Sequence, residues 1–116
     1  MTKKPKIKLG YSNEAEITIK AVCEMFGITR DHLKSKSRKE EIVAARRIFC
    51  MIVKKSTILS TTKIGRYINR DHSTVIFAIK TGEIYEKHWK PFAEAVGRCR
   101  ERVDELKCCN FEKTNK

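Results

Sequence analysis

No stretch of this sequence approaches the roughly 20 consecutive apolar residues that a membrane-spanning helix needs. Its amino terminus, Met1-Thr2-Lys3-Lys4-Pro5, carries charge without the apolar segment of a signal peptide. Both absences predict a cytoplasmic chain with no membrane partner. The five cysteines (Cys23, Cys50, Cys99, Cys108 and Cys109) are odd in number and include no Cys-x-x-Cys pair, and the histidines scatter at 32, 72 and 88. Zinc-ligand spacing is therefore missing, the cysteines do not suggest a disulfide framework, and a reducing compartment fits better. Cys108-Cys109 read as small apolar residues at a helix end rather than a reactive pair. No Gly-x-x-x-x-Gly-Lys-Ser/Thr is present to cradle a nucleotide phosphate, and no metal or cofactor is expected. No period-two alternation marks a strand and no internal repeat appears, so the fold class is all-α.

Acidic residues are also scarce. Fourteen Asp and Glu face twenty-six Lys and Arg, a formal charge of +12 on 116 residues. So large a charge repels itself unless an anionic partner neutralises it, and nucleic acid is the commonest such partner. The excess lies in residues 1–90, with twenty basic and nine acidic side chains, whereas Phe92 to Lys107 holds four of each sign. The partner should meet the first three quarters of the chain.

The local pattern predicts five to six helices. Residues 1–12 form a basic arm around Lys3, Lys4, Lys6 and Lys8. Ser12 or Asn13 caps a first helix that Gly27 stops, and Thr29 caps a short turn over Arg30 to Lys34. A basic loop, Ser35-Lys36-Ser37-Arg38-Lys39, leads into Glu40 to Ser56, which has no Gly or Pro and is apolar nearly all round: a central helix. Arg47 and Lys54, seven residues apart with Arg46 nearby, mark its polar face. Ser60 or Thr61 caps a helix to Ile68, and Asn69-Arg70 turn. Asp71 caps a helix that buries Val75, Ile76 and Ile79, runs toward Tyr85 and is weakened by Gly82. Pro91 suits the first position of a last helix over residues 91–109. Its stripe of Phe92, Val96, Cys99, Val103 and Leu106 packs on its own domain or, alternatively, pairs with a second copy or a protein partner through residues 92–106. Trp89 reads as an anchor for that helix rather than a stacking platform for single strands. Residues 110–116 read as a disordered tail. The domain proper is residues 13–90.

Two short helices about a tight turn, the second opening on the polar or small residues Asp71, His72, Ser73 and Thr74, form the arrangement of a helix-turn-helix. His72 beside Asp71 imitates a catalytic pair, but consecutive residues on a helix diverge, and no nucleophile is evident. The chain does not read as an enzyme.

The run Arg70-Asp71-His72-Ser73-Thr74-Val75 resembles the R-D-H-S/T-T-V signature of the C-terminal DNA-binding domain (domain IV) of the bacterial replication initiator DnaA. Ser35-Lys36-Ser37-Arg38 resembles that family's S-K-x-R loop, and Ile64-Gly65 its I-G. The likeness extends over Val22-Cys23-Glu24 and Leu33-Lys34-Ser35, and covers roughly residues 14–86. The resemblance implies a Trp-repressor-like, domain IV-like fold with an added C-terminal helix. It also implies sequence-specific binding of A·T-rich, DnaA-box-like double-stranded DNA in replication initiation or its regulation. His72 and Ser73 would touch base edges in the major groove, Asp71 would accept from a base amino group, and Arg38, beside Lys39, would enter the adjacent minor groove. Arg46, Arg47, Lys54, Arg70 and Thr74 would meet the duplex, largely at phosphates. Three departures imply an altered target: Ile68-Asn69 stands in place of two glycines in a shorter turn, Ser73 replaces the usual threonine, and Ala44-Ala45-Arg46 replaces R-P-R. Lacking the ATPase motif, the sequence reads as a freestanding DNA-reading domain. Two other uses of the fold are a transcription regulator or mobile-element accessory protein, and a module that binds replication proteins without reading DNA.

Overall fold

The computed structural model describes the backbone of residues 13–115 and the side chains of residues 14–107. The basic arm, the Ser12 cap and the Cys108-Cys109 side chains lie outside the described residues. The order is α1 (Asn13–Phe26), α2 (Arg30–Lys34), α3 (Glu40–Ser56), α4 (Thr61–Ile68), α5 (His72–His88) and α6 (Lys90–Asn115).

Local chemistry sets most boundaries. Gly27 takes a left-handed φ of 65° and the Ile28 N–H reaches back to the Cys23 carbonyl at 3.1 Å, the bond that closes a glycine-terminated helix. At α2 the Thr29 hydroxyl accepts from the His32 N–H while the Thr29 N–H donates to His32 Nδ1, a reciprocal cap with histidine in the position usually held by Glu or Gln. Ser60 caps α4 through the Lys63 N–H, and Asp71 caps α5 through the Thr74 N–H.

Helix α3 is central: nine of its residues from Ile42 to Val53 are buried, and it packs against all five other helices. α5 faces it through Val75, Ala78 and Gly82, at helical spacing. Ile76, expected in this buried face, lies one residue off the stripe and is 38% exposed. Gly82 does not break the helix. A Cβ there would lie 2.4 Å from Met51 Sδ, so the missing side chain lets α5 close on α3.

The stripe Phe92, Val96, Cys99 and Val103 is buried, Val103 and Leu106 against Ile17 and Ala21 of α1. Ion pairs Lys107–Glu14 and Arg102–Glu24 flank that contact. The stripe is thus occupied within its own chain, and pairing with a second copy would have to uncover it. α6 differs from expectation at both ends. It starts at Lys90, with the Trp89 carbonyl accepting from the Phe92 and Ala93 N–H groups, and it continues through residues 110–115, where the sequence reading placed a tail. Beyond Gly97 this stretch contains no Gly or Pro to stop it. Burial pushes the Cys50 thiol up to about 12 and Cys99 up to about 11, which keeps both protonated as apolar packing groups.

Candidate nucleic-acid interface

The junction of α4 and α5 is built from a left-handed residue and a missing side chain. Asn69 has φ 59° and ψ 48°, a conformation that asparagine tolerates better than most non-glycine residues. The Arg70 N–H then donates to the Gly65 carbonyl at 2.8 Å, closing α4 by the same bond seen at Gly27. The returning chain passes so near Gly65 that a Cβ there would sit 2.2 Å from the Arg70 carbonyl oxygen. That contact sets how closely α5 follows α4, and Asn69 supplies the left-handed residue of the turn.

The turn delivers residues 71–74 to the surface, where all four are exposed. The Thr74 N–H donates to Asp71 Oδ1 at 2.9 Å, and this bond, followed by the Thr74 hydroxyl, holds the Asp71 carboxyl below its ordinary range. Asp71 is therefore ionised and partly committed to capping. His72 and Ser73 are exposed in the first turn of α5, and Phe77, one turn beyond Ser73 on the same face, is 64% exposed. Sequence reasoning passed over Phe77. The available signal was its spacing, four residues from Ser73 and off the Val75–Ala78–Gly82 stripe.

The loop between α2 and α3 is held by arginines. Arg46, expected at a DNA phosphate, is instead buried. Its Nε donates to the Leu33 carbonyl at 2.8 Å and its Nη1 to the Ser37 carbonyl at 2.9 Å, while Nη2 reaches the Ser35 and His32 carbonyls. Desolvation, then the neighbouring Arg70 charge, lower its pKa. Arg46 follows Ile42 by four residues and precedes Phe49 and Val53 by three and seven, so it belongs to the apolar stripe of α3. It cannot share the face of Arg47. Arg70 is also partly engaged: Nη1 donates to the Asn69 carbonyl at 3.0 Å and Nη2 to the Ser35 carbonyl at 2.5 Å. Two guanidinium groups thus converge on one loop carbonyl, one from the central helix and one from the helix-turn-helix turn.

The convergence has an electrostatic consequence. A cleft of about 430 Å³ lies between loop and turn, lined by Lys36, Ser37, Arg38, Val43, Arg46, Asn69 and Arg70. Four cations and no carboxylate line it, so it attracts anions. Arg38 and Lys39 are exposed, as is Lys54, and Arg47 lies half-buried with its guanidinium 5.0 Å from the centre of the Tyr85 ring. Among the described residues, no cluster of three or more His, Cys, Asp or Glu could hold a metal, and no helix is long and apolar enough to cross a membrane.

A short helix, a left-handed turn and a second helix opening on exposed polar side chains, docked on a central helix, define a helix-turn-helix domain. The chain belongs to the family described as the bacterial DnaA protein helix-turn-helix, whose model matches residues 15–81. It is 45% identical over 64 residues to the chromosomal replication initiator protein DnaA of Bacteroides thetaiotaomicron, covering 54% of this chain and 14% of that protein. Against the protein of the same name from Chlorobaculum tepidum it is 48% identical over 65 residues, 55% of this chain and 13% of the relative. Against that of Synechococcus it is 34% identical over 90 residues, 77% of this chain and 19% of the relative. The chain spans less than a fifth of the length of these relatives.

Proposed function

We propose that this domain binds double-stranded DNA sequence-specifically, in replication initiation or its regulation. The first turn of α5 lies in the major groove and Arg38 in the adjacent minor groove. The observation that supports this reading is the double clamp on Ser35. Through it the loop carrying Arg38 is tied to the turn that leads into residues 71–74, which supports their acting on one ligand. His72 and Ser73 read base edges, Asp71 turns its remaining acceptor capacity to a base amino group, and Phe77 packs on thymine methyls. Arg47, Lys54 and Thr74 serve phosphates, together with Lys36, Lys39 and Arg70 around the cationic cleft. Arg46 acts on DNA only by shaping the loop. An A·T-rich target fits Arg38, because narrow minor grooves concentrate negative potential.

Selection of bound duplexes from a random pool tests this. An A·T-rich consensus resembling a DnaA box should emerge, and the His72→Ala variant should lose part of that preference while keeping non-specific affinity. Equal recovery of all sequences by the parent domain would defeat base readout. Arg38→Ala should weaken binding to the selected site by about 1–3 kcal/mol and relax preference at the positions it faces. Unchanged affinity in a gel-shift titration would remove Arg38 from the interface. The logarithm of the affinity should fall with log salt at about −0.9 per phosphate contacted. A flat salt response would contradict a phosphate-dominated contact.

A further inference from the structure

A second cleft shares Arg38 and Val43 with the cationic cleft beside the turn. It has a volume of about 450 Å³ and is lined chiefly by Arg38, Glu40, Arg47, Tyr85, Trp89 and Phe92. Its wall is a set of rings packed edge to face. Tyr85 meets Trp89 edge to face at 6.1 Å and Phe92 at 5.7 Å, and the Arg47 guanidinium covers the Tyr85 ring at 5.0 Å. Phe92 is buried, whereas Trp89 keeps 50% of its surface open.

We infer that this cleft takes an unstacked nucleotide of single-stranded nucleic acid, with its base on Trp89 and its phosphate on Arg47. An open aromatic ring beside arginine is the pairing that binds single strands without reading sequence. Duplex DNA offers no such base, because its π-faces are stacked internally. Glu40, the one carboxylate lining the cleft, can accept from an exocyclic amino group, as on cytosine or adenine. The volume lies in the range of small-ligand sites and holds about one nucleotide. Arg38 lines both clefts, so a strand seated here would continue from the cationic surface beside the turn. The inference goes beyond duplex reading, and either can fail without the other.

Trp89 is the only tryptophan in the chain, so its emission reports this cleft alone. Titration of the 116-residue protein with a single-stranded dC octamer should quench that emission saturably. An octamer of abasic sugar-phosphate controls for charge, since a +12 protein attracts any polyanion. The dC octamer should bind roughly tenfold or more tightly than the abasic one, the margin expected of one stacked base. With a labelled octamer read by anisotropy, Trp89→Ala should lose that margin, Trp89→Phe should keep most of it, and Arg47→Gln should weaken binding severalfold. Duplex affinity of Trp89→Ala should stay at the parent value, which separates the stacking contact on Trp89 from the duplex surface, with which the cleft shares Arg38 and Arg47. Abasic and dC octamers binding within twofold, no quenching, or equal displacement by an Asp octapeptide would each overturn the proposal.

Discussion

Replacing Arg46 with methionine should lower folding stability by about 3 kcal/mol and abolish specific DNA affinity along with it. The stem volume is kept, so what is lost is the guanidinium and its bonds to carbonyls of the α2–α3 segment. Hydrogen bonds to a charged group contribute about 1.5–3 kcal/mol each, and buried carbonyls left without a donor carry a desolvation cost. The several bonds do not add fully, since they share one rigid group. Arg46→Lys should rescue little, because a single ammonium cannot span carbonyls that a planar fork reaches together. Denaturant midpoints paired with duplex titrations give the check. A phosphate-contacting Arg46 would behave otherwise: the methionine variant would fold as well as the parent and bind every duplex somewhat more weakly.

Gly65→Ala should cost about 2–3 kcal/mol, even though alanine is ordinarily the better helix residue by about 1 kcal/mol. The added methyl would meet the Arg70 carbonyl oxygen at 2.2 Å and Val75 Cγ2 at 3.2 Å. Neither neighbour can yield cheaply. Arg70 is pinned by its own N–H to Gly65 and by its guanidinium to Ser35, and Val75 is fully buried between α4 and α5. The methyl must therefore prise α5 away from α4. The same displacement would move residues 71–74 relative to Arg38, so specific affinity should drop by more than non-specific affinity. A denaturant midpoint at or above the parent value would show that the turn has room and that its tightness does not set the angle of α5.

These two positions mark where the sequence was legible and where it was not. Caps and stops are local chemistry, so Thr29, Ser60 and Asp71 at helix starts and Gly27 at a helix end could be read directly. So could the central helix, whose apolar residues run round most of its circumference. The resemblance of residues 70–75 and 35–38 to DnaA supplied the candidate surface, and the family match over residues 15–81 bears out that kinship. What escaped was tertiary. Arg46 sits on the Ile42–Phe49–Val53 stripe, but a basic residue on an apolar stripe suggests an error in the stripe until the facing carbonyls are known. Ile76 was expected inside because it is isoleucine, and the three-dimensional stripe runs through Ala78 and Gly82 instead. Gly82 looked like a weakness only because Met51, some thirty residues earlier, could not be seen across from it. Trp89 and Tyr85 meet Arg38 and Arg47 solely through the packing of α5 and α6 on α3.

Backbone amide shifts of the labelled domain, titrated with its selected duplex, test the central claim most directly. The account expects the largest changes at Arg38, Lys39 and residues 71–77, with Phe92 to Leu106 quiet. Shifts confined to residues 92–106, or an Arg38 loop that responds while His72 and Ser73 do not, would contradict a single duplex gripped by both elements.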